Sequence, residues 1–314
     1  MDSRIPFLLG KGWVHSRDLI YLYGATREAN SNDEYESVVV RWDNGEWGLW
    51  QVATRLCSVF TGEPHGERVV FCVGIDGYVE VSDEHGVHVE TIDPSPTGPD
   101  RLKHITFAKP IGNHVLAVGM SRMVYSRAME SSEWLRIDDG ARVASGSAEI
   151  AGFKSIDGDG LGRYIAVGFY GDLWLYDERR WRRLTSPTNA KLECVRWVSE
   201  SRAYIAGGGG ILLRGQPDAL EIVEQSSTKQ TFWSMEWYDD HLYLATRDGS
   251  LWRLHDDDIV PVQLSSERAV TTGWLHANDG VLLSVGEHDL LVFDGHAWRS
   301  IDQPPLGADW PFEW

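Results

Sequence analysis

A few polar side chains lie within short apolar stretches of the sequence, where they could take part in chemistry. Arg196, Glu236, His276 and His104 are such residues. A carboxylate and an imidazole can act together as general acid and base, and an arginine can bind an anion through paired hydrogen bonds. These residues suggest, as one alternative, a hydrolase or lyase that acts on a sugar or a small acid.

The sequence contains no strong metal-binding or catalytic motif. The segment Asp157-Gly158-Asp159-Gly160 resembles half of a calcium loop, but Leu161 and Gly168 stand where an oxygen ligand and the closing glutamate are needed. The histidines do not show zinc spacing on one element. A phosphate loop, His-Glu-x-x-His and Gly-x-Ser-x-Gly are all missing from the sequence. We therefore predict no metal, no cofactor and no catalytic residue.

The charge of the chain restricts its partners. The 314 residues include 29 Lys+Arg and 47 Asp+Glu, which gives a formal net charge of −18. This charge argues against nucleic acid or an anionic membrane as a ligand, because both require a basic footprint. It is compatible with a basic protein partner. The acidic residues predicted to contact that partner are Asp33, Glu34, Asp157, Asp159, Asp239, Asp240, Asp256, Asp257 and Asp258.

An alternative explanation of these acidic residues is turn formation, because Asp favours tight hairpin turns whatever the function of the protein. Turn preference does not explain the glutamates or the small number of basic residues in the same loops. We therefore keep both explanations open, and expect the loops to attract a basic partner if they bind one.

Cysteine usage and hydropathy indicate a cellular compartment. The three cysteines, Cys57, Cys72 and Cys194, have no paired spacing, which excludes a disulfide framework and suits a reducing cytoplasm. No apolar run approaches the roughly 20 residues needed to span a bilayer. The first residues lack the pattern of a signal peptide. We expect a cytoplasmic protein that is a monomer or forms a 1:1 complex.

The elements that must position these residues follow from an internal repeat. Short apolar runs end in a small residue followed by Gly or Thr, at intervals of roughly 39 to 50 residues, which is the period of a four-stranded propeller blade. The runs begin at Tyr21, Phe71, Leu116, Ile165, Tyr204, Tyr243 and Leu283.

A second repeated element has the pattern aromatic-Asp-x-x-x-Trp, and predicts a hairpin in which Asp caps the turn and the aromatic residues pair across the strands. It occurs at 42–47, 176–181 and 293–298. Helical periodicity is almost absent. The sequence predicts an all-β, single-domain, seven-bladed β-propeller with four antiparallel strands per blade. The first unit already accounts for four strands, which would leave none to exchange with the last blade, and the way in which the ring closes is left open. The predicted blades are approximately 8–50, 51–93, 101–138, 149–186, 191–225, 231–265 and 270–302, with the tail 303–314 packing on the ring.

The repeat resembles bacterial β-propellers of the WD40-like and BNR-like type over almost the whole chain. The resemblance is architectural, because the WD signature is missing as a repeat and the Kelch double glycine occurs only at 207–210. Arg4-Ile5-Pro6 resembles a tripeptide that sialidases carry near the start of their fold. The arginine of that tripeptide binds a substrate carboxylate, and the resemblance implies this role for Arg4. The resemblance implies the fold and identifies no subfamily or function.

We consider three functions for such a propeller. The leading hypothesis is a non-catalytic immunity protein that neutralises a basic bacterial toxin by covering its active site. The alternatives are the hydrolase or lyase with its site at the channel mouth, and an assembly factor or scaffold. The residues predicted at the channel mouth are Arg196, Trp233, Glu236, Trp274 and His276.

Overall fold

The computed structural model describes residues 7–26, 37–102, 104–144, 147, 149–177, 179–264, 270–287 and 289–302. It contains seven antiparallel sheets, each made of four consecutive strands. The predicted seven-bladed β-propeller is therefore confirmed. The first sheet takes all its strands from the start of the described chain, and each of the other sheets is likewise built from strands that follow one another in sequence.

The first four blades cover the N-terminal part of the ring. Blade 1 contains β1 (Phe7–Ser16), β2 (Leu19–Thr26), β3 (Ser37–Asp43) and β4 (Glu46–Val52). Blade 2 contains β5 (Leu56–Gly62), β6 (Val69–Gly74), β7 (Tyr78–Asp83) and β8 (Gly86–Thr91). Blade 3 contains β9 (Ile105–Ile111), β10 (His114–Gly119), β11 (Val124–Ala128) and β12 (Leu135–Arg136). Blade 4 contains β13 (Phe153–Gly158), β14 (Arg163–Gly168), β15 (Leu173–Asp177) and β16 (Trp181–Arg183).

Three further blades complete the ring. Blade 5 contains β17 (Leu192–Ser199), β18 (Arg202–Gly207), β19 (Leu212–Gln216) and β20 (Ala219–Ile222). Blade 6 contains β21 (Phe232–Tyr238), β22 (His241–Thr246), β23 (Leu251–His255) and β24 (Asp258–Pro261). Blade 7 contains β25 (Trp274–Asn278), β26 (Val281–Val285), β27 (Leu290–Phe293) and β28 (Trp298–Ser300). The described helical segments are α1 (Pro99–Leu102) and the 3-10 turns Pro64–Gly66, Phe169–Gly171 and Gly208–Gly210.

The second strand of each blade forms the core, because neighbouring blades cover both of its faces. In β10, Val115 and Ala117 pack in the cluster shared with blade 2. Leu116 and Val118, which point the other way, pack in the cluster shared with blade 4. All four are fully buried. A strand covered on both faces requires a continuous apolar run, which explains why the repeat appears as apolar runs.

The glycine at the end of these runs leaves room for the backbone that enters the same blade. A Cβ atom added to Gly168 would lie 1.9 Å from the carbonyl oxygen of Gly152, and one added to Gly207 would lie 2.1 Å from that of Lys191. Any side chain at these two positions would displace the inner strand. At these two positions, close backbone approach therefore requires glycine.

The outer hairpin at 293–298 has the predicted geometry. Phe293 and Trp298 stack with their ring centres 5.0 Å apart. The Asp294 carboxylate accepts hydrogen bonds from the backbone N–H groups of His296 at 3.0 Å and Ala297 at 2.9 Å. Asp294 therefore closes the turn that brings the two aromatic rings together.

The ring closes through side chains of the first and last blades. The Trp274 indole donates to the carbonyl oxygen of Gly12 at 2.9 Å, and the Asn278 amide donates to that of His15 at 2.8 Å. β1 and β25 are neighbours in the ring, and side-chain to backbone hydrogen bonds join them. Across the described residues, no helix is long and apolar enough to span a bilayer.

Candidate functional site

The inner strands of the blades surround a central channel with a volume of about 700 Å³. We call the end at which these strands begin the upper face, and the end at which they finish the lower face. The hairpins from first to second strands and from third to fourth strands lie on the lower face. The candidate residues of the channel consequently form an upper and a lower layer.

The lower layer contains a chain of ion pairs across blades 3 to 6. Lys109 Nζ lies 2.8 Å from Asp157 Oδ1, and Arg196 Nη1 lies 3.7 Å from Asp157 Oδ2. Arg196 Nε lies 2.9 Å from Glu236 Oε1, although its N–H does not point at a hydrogen-bond acceptor. The backbone N–H of Trp197 donates to Asp157 at 2.8 Å. Two cations and two carboxylates, contributed by four successive inner strands, balance one another.

Burial and charge act in opposite directions on these carboxylates. Burial raises the pKa of Asp157, but Lys109 and Arg196 outweigh burial and hold it below its ordinary value. Burial raises the pKa of Glu236, and the attraction of Arg196 offsets only part of that rise. Burial also lowers the pKa of Arg196, and the two carboxylates more than compensate. The positive charge of Arg196 is thus compensated within the cluster by the carboxylates of Glu236 and Asp157.

His276 lies in the same layer as a fixed, neutral ring. Its Nδ1 accepts a hydrogen bond from the backbone N–H of Val14 at 3.0 Å, and its ring packs on Trp13 with centres 3.8 Å apart. Burial lowers the pKa of His276 well below its ordinary value, and nearby Arg196 and Lys109 lower it further. His276 therefore joins blades 1 and 7.

The lysines of the upper layer were not anticipated from the sequence. Lys11 Nζ donates to the carbonyl oxygen of Cys57 at 2.9 Å, and lies 5.0 Å from the ring centre of Phe107 and 4.8 Å from that of Trp274. Lys154 also lines this part of the channel. The signal in the sequence is a lysine inside a predicted inner strand, in Gly10-Lys11-Gly12 and Phe153-Lys154-Ser155.

The structure places all five predicted channel-mouth residues around one cavity: Arg196, Trp233, Glu236, Trp274 and His276. Trp233 is 48% exposed at the upper rim, where the Arg247 guanidinium lies 5.5 Å from the centre of its ring. The other alternative, His104, precedes β9 and is exposed, so the structure does not bring it to the channel.

The structure corrects the position of one predicted partner contact. The sequence predicted Asp157 in a loop on the lower face, but Asp157 lies on the inner strand β13 and is 4% exposed. The reason is that Lys109 and Arg196 from the neighbouring blades compensate its charge there. Asp159 does lie in the loop, where its carboxylate accepts from the N–H groups of Leu161 at 2.7 Å and Arg163 at 3.1 Å. Turn formation accounts for Asp159.

The remaining acidic residues lie together on the lower face of blade 6. Asp239 and Asp240 form the hairpin between β21 and β22, and Asp256 and Asp257 form the hairpin that leads to Asp258 at the start of β24. All five are exposed. Asp239, Asp240 and Asp256 have φ angles of 48°, 56° and 54°, a conformation that Asp tolerates better than most residues. Asp257 lies 2.6 Å from Arg214. Asp33, Glu34 and the tail 303–314 lie outside the described residues.

One group of described side chains has the spacing of a metal site. Glu67, Glu84 and His85 approach one another on the lower face of blade 2, with His85 Nε2 3.7 Å from Glu84 and 4.0 Å from Glu67. All three are exposed. Exposed acidic groups often lie this close together without an ion, so the group does not identify a metal site.

Comparison with known proteins identifies the family of the chain. No protein-family model matches it. The immune protein Tsi7 of Pseudomonas aeruginosa is 31% identical to it over 303 residues, which cover 93% of this chain and 96% of Tsi7. This chain belongs to the Tsi7 family of immune proteins. The prediction of an immunity protein is thereby confirmed at the level of the family.

Solved structures support the fold independently. YCF48 from Cyanidioschyzon merolae is 17% identical and superimposes with a TM-score of 0.66, covering 92% of this chain and 96% of YCF48. The WD40 β-propeller domain of Doa1 is 8% identical, with a TM-score of 0.67 over 91% of this chain and 92% of that domain. These similarities show a WD40-like propeller.

Proposed function

We propose that the chain is a non-catalytic, cytoplasmic immunity protein that binds a basic toxin in a 1:1 complex and covers the toxin's active site with its lower face. The observation that carries this proposal is the excess of exposed carboxylates on that face in a member of the Tsi7 family. Blade 6 supplies the densest part of this surface.

The excess extends around the lower face. The exposed carboxylates of its described hairpins are Asp18, Glu63, Glu67, Glu84, Glu130, Glu133, Asp177, Glu200, Asp218, Asp239, Asp240, Asp256, Asp257 and Asp279. The exposed cations of the same hairpins are Arg17, Arg68, Arg179, Arg180 and Arg202. A surface of this sign attracts a positively charged protein, raises the rate of encounter and disfavours acidic competitors.

The channel supports a binding role rather than a catalytic one. The cations and carboxylates that were candidates for catalysis neutralise one another in the lower layer. His276 accepts a hydrogen bond at Nδ1 and is held neutral by burial, which lowers its pKa. A general acid or base needs a proton that it can exchange with a substrate, and these groups are already committed to the structure.

The proposal is tested by capturing the partner and examining its toxicity. The chain is used as bait in lysate of its native organism at low and high salt, and each captured protein is expressed alone and together with the chain. We expect a basic protein that elutes at high salt, arrests growth when expressed alone and is harmless in the presence of the chain. Surface electrostatic attraction predicts this salt dependence.

Two results would contradict the proposal. One is a chain that relieves the toxicity of none of the proteins it captures. The other is a neutralised toxin that is acidic and binds equally well at low and high salt, because the lower face could then not be the basis of recognition.

A further inference from the structure

The upper end of the channel has a charge opposite to that of the protein as a whole. Lys11, Lys154, Lys191 and Arg55 line it, together with the carboxylate of Glu193. Arg55 is exposed and has an interaction of its own. Lys191 Nζ lies 2.7 Å from Glu193 Oε1. In the part of the chain that the structure describes, Lys11 and Lys154 form no ion pair. Two cations that form no ion pair, and that share the attraction of Glu193 with Lys191, therefore face a cavity in a chain of net charge −18.

Lys11 is held in this position at an energetic cost. The neighbours of its ammonium group are the carbonyl oxygen of Cys57 and the ring faces of Phe107 and Trp274. Burial lowers the pKa of Lys11 to about 8, and the nearby Lys154 adds to this effect. Burial likewise lowers the pKa of Lys154. A buried cation without a carboxylate is unfavourable unless a ligand supplies the missing charge.

The walls of the cavity define the shape of that ligand. Phe107 and Trp274 approach with their ring centres 5.9 Å apart, and Trp233 stands exposed at the rim. The upper end is part of a channel of about 700 Å³, a volume within the range of small-molecule sites, which are mostly apolar with a few convergent polar groups. Aromatic walls favour a flat apolar body, and the ammonium groups favour negative charge at its edge.

We propose that the upper end of the channel binds a small planar organic anion, whose carboxylates contact Lys11 and Lys154 and whose ring packs against Phe107, Trp274 and Trp233. This site is distinct from the acidic surface of the lower face and does not depend on toxin binding. The exposed residues Trp233 and Arg55 line it at the end of the ring away from that surface.

Isothermal titration calorimetry of the purified chain tests this site, with isophthalate as the probe and uncharged benzamide as the neutral comparison. We expect isophthalate to bind and benzamide to bind much more weakly. Lys11→Met and Lys154→Met keep most of the side-chain volume and should each weaken isophthalate binding by about tenfold or more, the loss of one close charge pair. Lys229→Met removes an exposed lysine outside the cavity and should leave binding unchanged.

Binding should also depend on pH. The titratable groups around Lys11 are the Cys57 thiol, the Tyr23 hydroxyl, Lys154 and Glu193. Burial raises the pKa of Cys57 to about 11 and raises the pKa of Tyr23 above its ordinary range. The thiol and the hydroxyl are therefore neutral near pH 8. Isophthalate affinity should fall as the pH rises through about 8, because Lys11 then loses its proton.

The site would be refuted if isophthalate bound no better than benzamide, or not at all. It would also be refuted if Lys11→Met and Lys154→Met retained wild-type affinity while folded, as judged by their thermal unfolding. If Lys229→Met lost as much affinity for isophthalate as the two cavity variants, the loss would reflect the net charge of the protein and not a specific site.

Discussion

The two layers of the channel use the same kinds of side chain but balance their charges differently. In the lower layer, Lys109 and Arg196 alternate with Asp157 and Glu236 around four blades. In the upper layer, three lysines share the carboxylate of Glu193. The lower layer is electrically complete, and the upper layer has an excess of positive charge.

Paired buried charges also occur at joints between blades. Arg127 binds Glu90 through two contacts of 2.8 and 2.7 Å, and Arg122 binds Asp172 through contacts of 2.7 and 3.0 Å. Both pairs are buried. In these two pairs, each buried cation is accompanied by a carboxylate. Lys11 and Lys154 differ from them, which is consistent with the ligand site proposed above.

The largest effect is expected where the paired layer is broken. Asp157→Ala would leave Lys109 and Arg196 facing each other without the carboxylate between them. Breaking a buried pair on one side costs about 3–5 kcal/mol, and we expect a loss of that size in urea unfolding. Asp139→Ala, at an exposed carboxylate, serves as the control and should change stability by less than about 0.5 kcal/mol. Equal losses in both variants would show that the lower layer is not a structural unit.

The exposed carboxylates of blade 6 should show the reverse behaviour. Replacing Asp239, Asp240, Asp256 and Asp258 together with Asn removes charge and keeps a residue that tolerates a positive φ. We expect stability to change little and affinity for the toxin to fall by a factor on the order of 10², mainly through slower association. Surface plasmon resonance at several salt concentrations measures this change.

A matched variant separates position from net charge. Glu221→Gln, Glu224→Gln, Glu287→Gln and Asp302→Asn remove the same number of exposed carboxylates outside the lower-face hairpins. This variant should bind the toxin as the wild type does. Identical losses in both variants would mean that the overall field of the protein, and not blade 6, governs binding.

The folded protein should become more stable when the charge of Lys11 is removed from the upper layer. Lys11→Met replaces a buried cation with an apolar side chain of similar length, and we expect a gain of about 1–3 kcal/mol at pH 7 in urea unfolding. The same change at the exposed Lys229 should have almost no effect. A clear loss of stability in Lys11→Met would show that the contacts with Cys57, Phe107 and Trp274 outweigh the cost of burial.

The gain should depend on pH in a defined window. The pKa of Lys11 is lowered from 10.5 in the unfolded chain to about 8 in the folded protein. Between these values the unfolded chain binds more protons, so the stability of the wild type rises with pH relative to Lys11→Met. The advantage of the variant should be fully present below pH 8 and should disappear by about pH 10.5. A difference that stays constant across this window would rule out the ionisation of Lys11 as its cause.

The fold could be predicted from the sequence because its strongest constraints are local. A central strand covered on both faces needs a continuous apolar run, and the close approach at Gly168 and Gly207 needs glycine. The aromatic-Asp-x-x-x-Trp hairpin is likewise fixed by neighbouring residues, as Asp294 shows. These signals recur at the period of a blade, and repetition makes them recognisable.

The channel was only partly predictable because its charges are compensated across blades. Asp157 can be buried at the end of an inner strand because Lys109, 48 residues earlier in the chain, neutralises its charge. Lys11 and Lys154 look like ordinary surface lysines until seven strands are arranged in a ring. Sequence spacing carries no record of which inner strands become neighbours through closure, such as β1 and β25.

The smallest expected effect concerns the residues that hold left-handed turns on the two faces. On the lower face, Asp239, Asp240 and Asp256 occupy such positions. On the upper face of blade 4, Tyr170 does so with φ 53° and ψ 40°, whereas the corresponding turn of blade 5 has Gly209 with φ 69° and ψ 17°. A tyrosine in this conformation costs about 1 kcal/mol or more. Its side chain is 64% exposed and recovers little by packing.

Exchanging the residues of these two turns therefore isolates backbone strain. Tyr170→Gly should raise stability by about 0.5–1 kcal/mol, and Gly209→Tyr should lower it by a similar amount. A Cβ atom at Gly209 meets no other atom within 4 Å, so the second variant adds strain without a clash. Thermal unfolding of both variants measures the two changes. A loss of stability in Tyr170→Gly would mean that the exposed ring stabilises the upper face by more than its backbone costs.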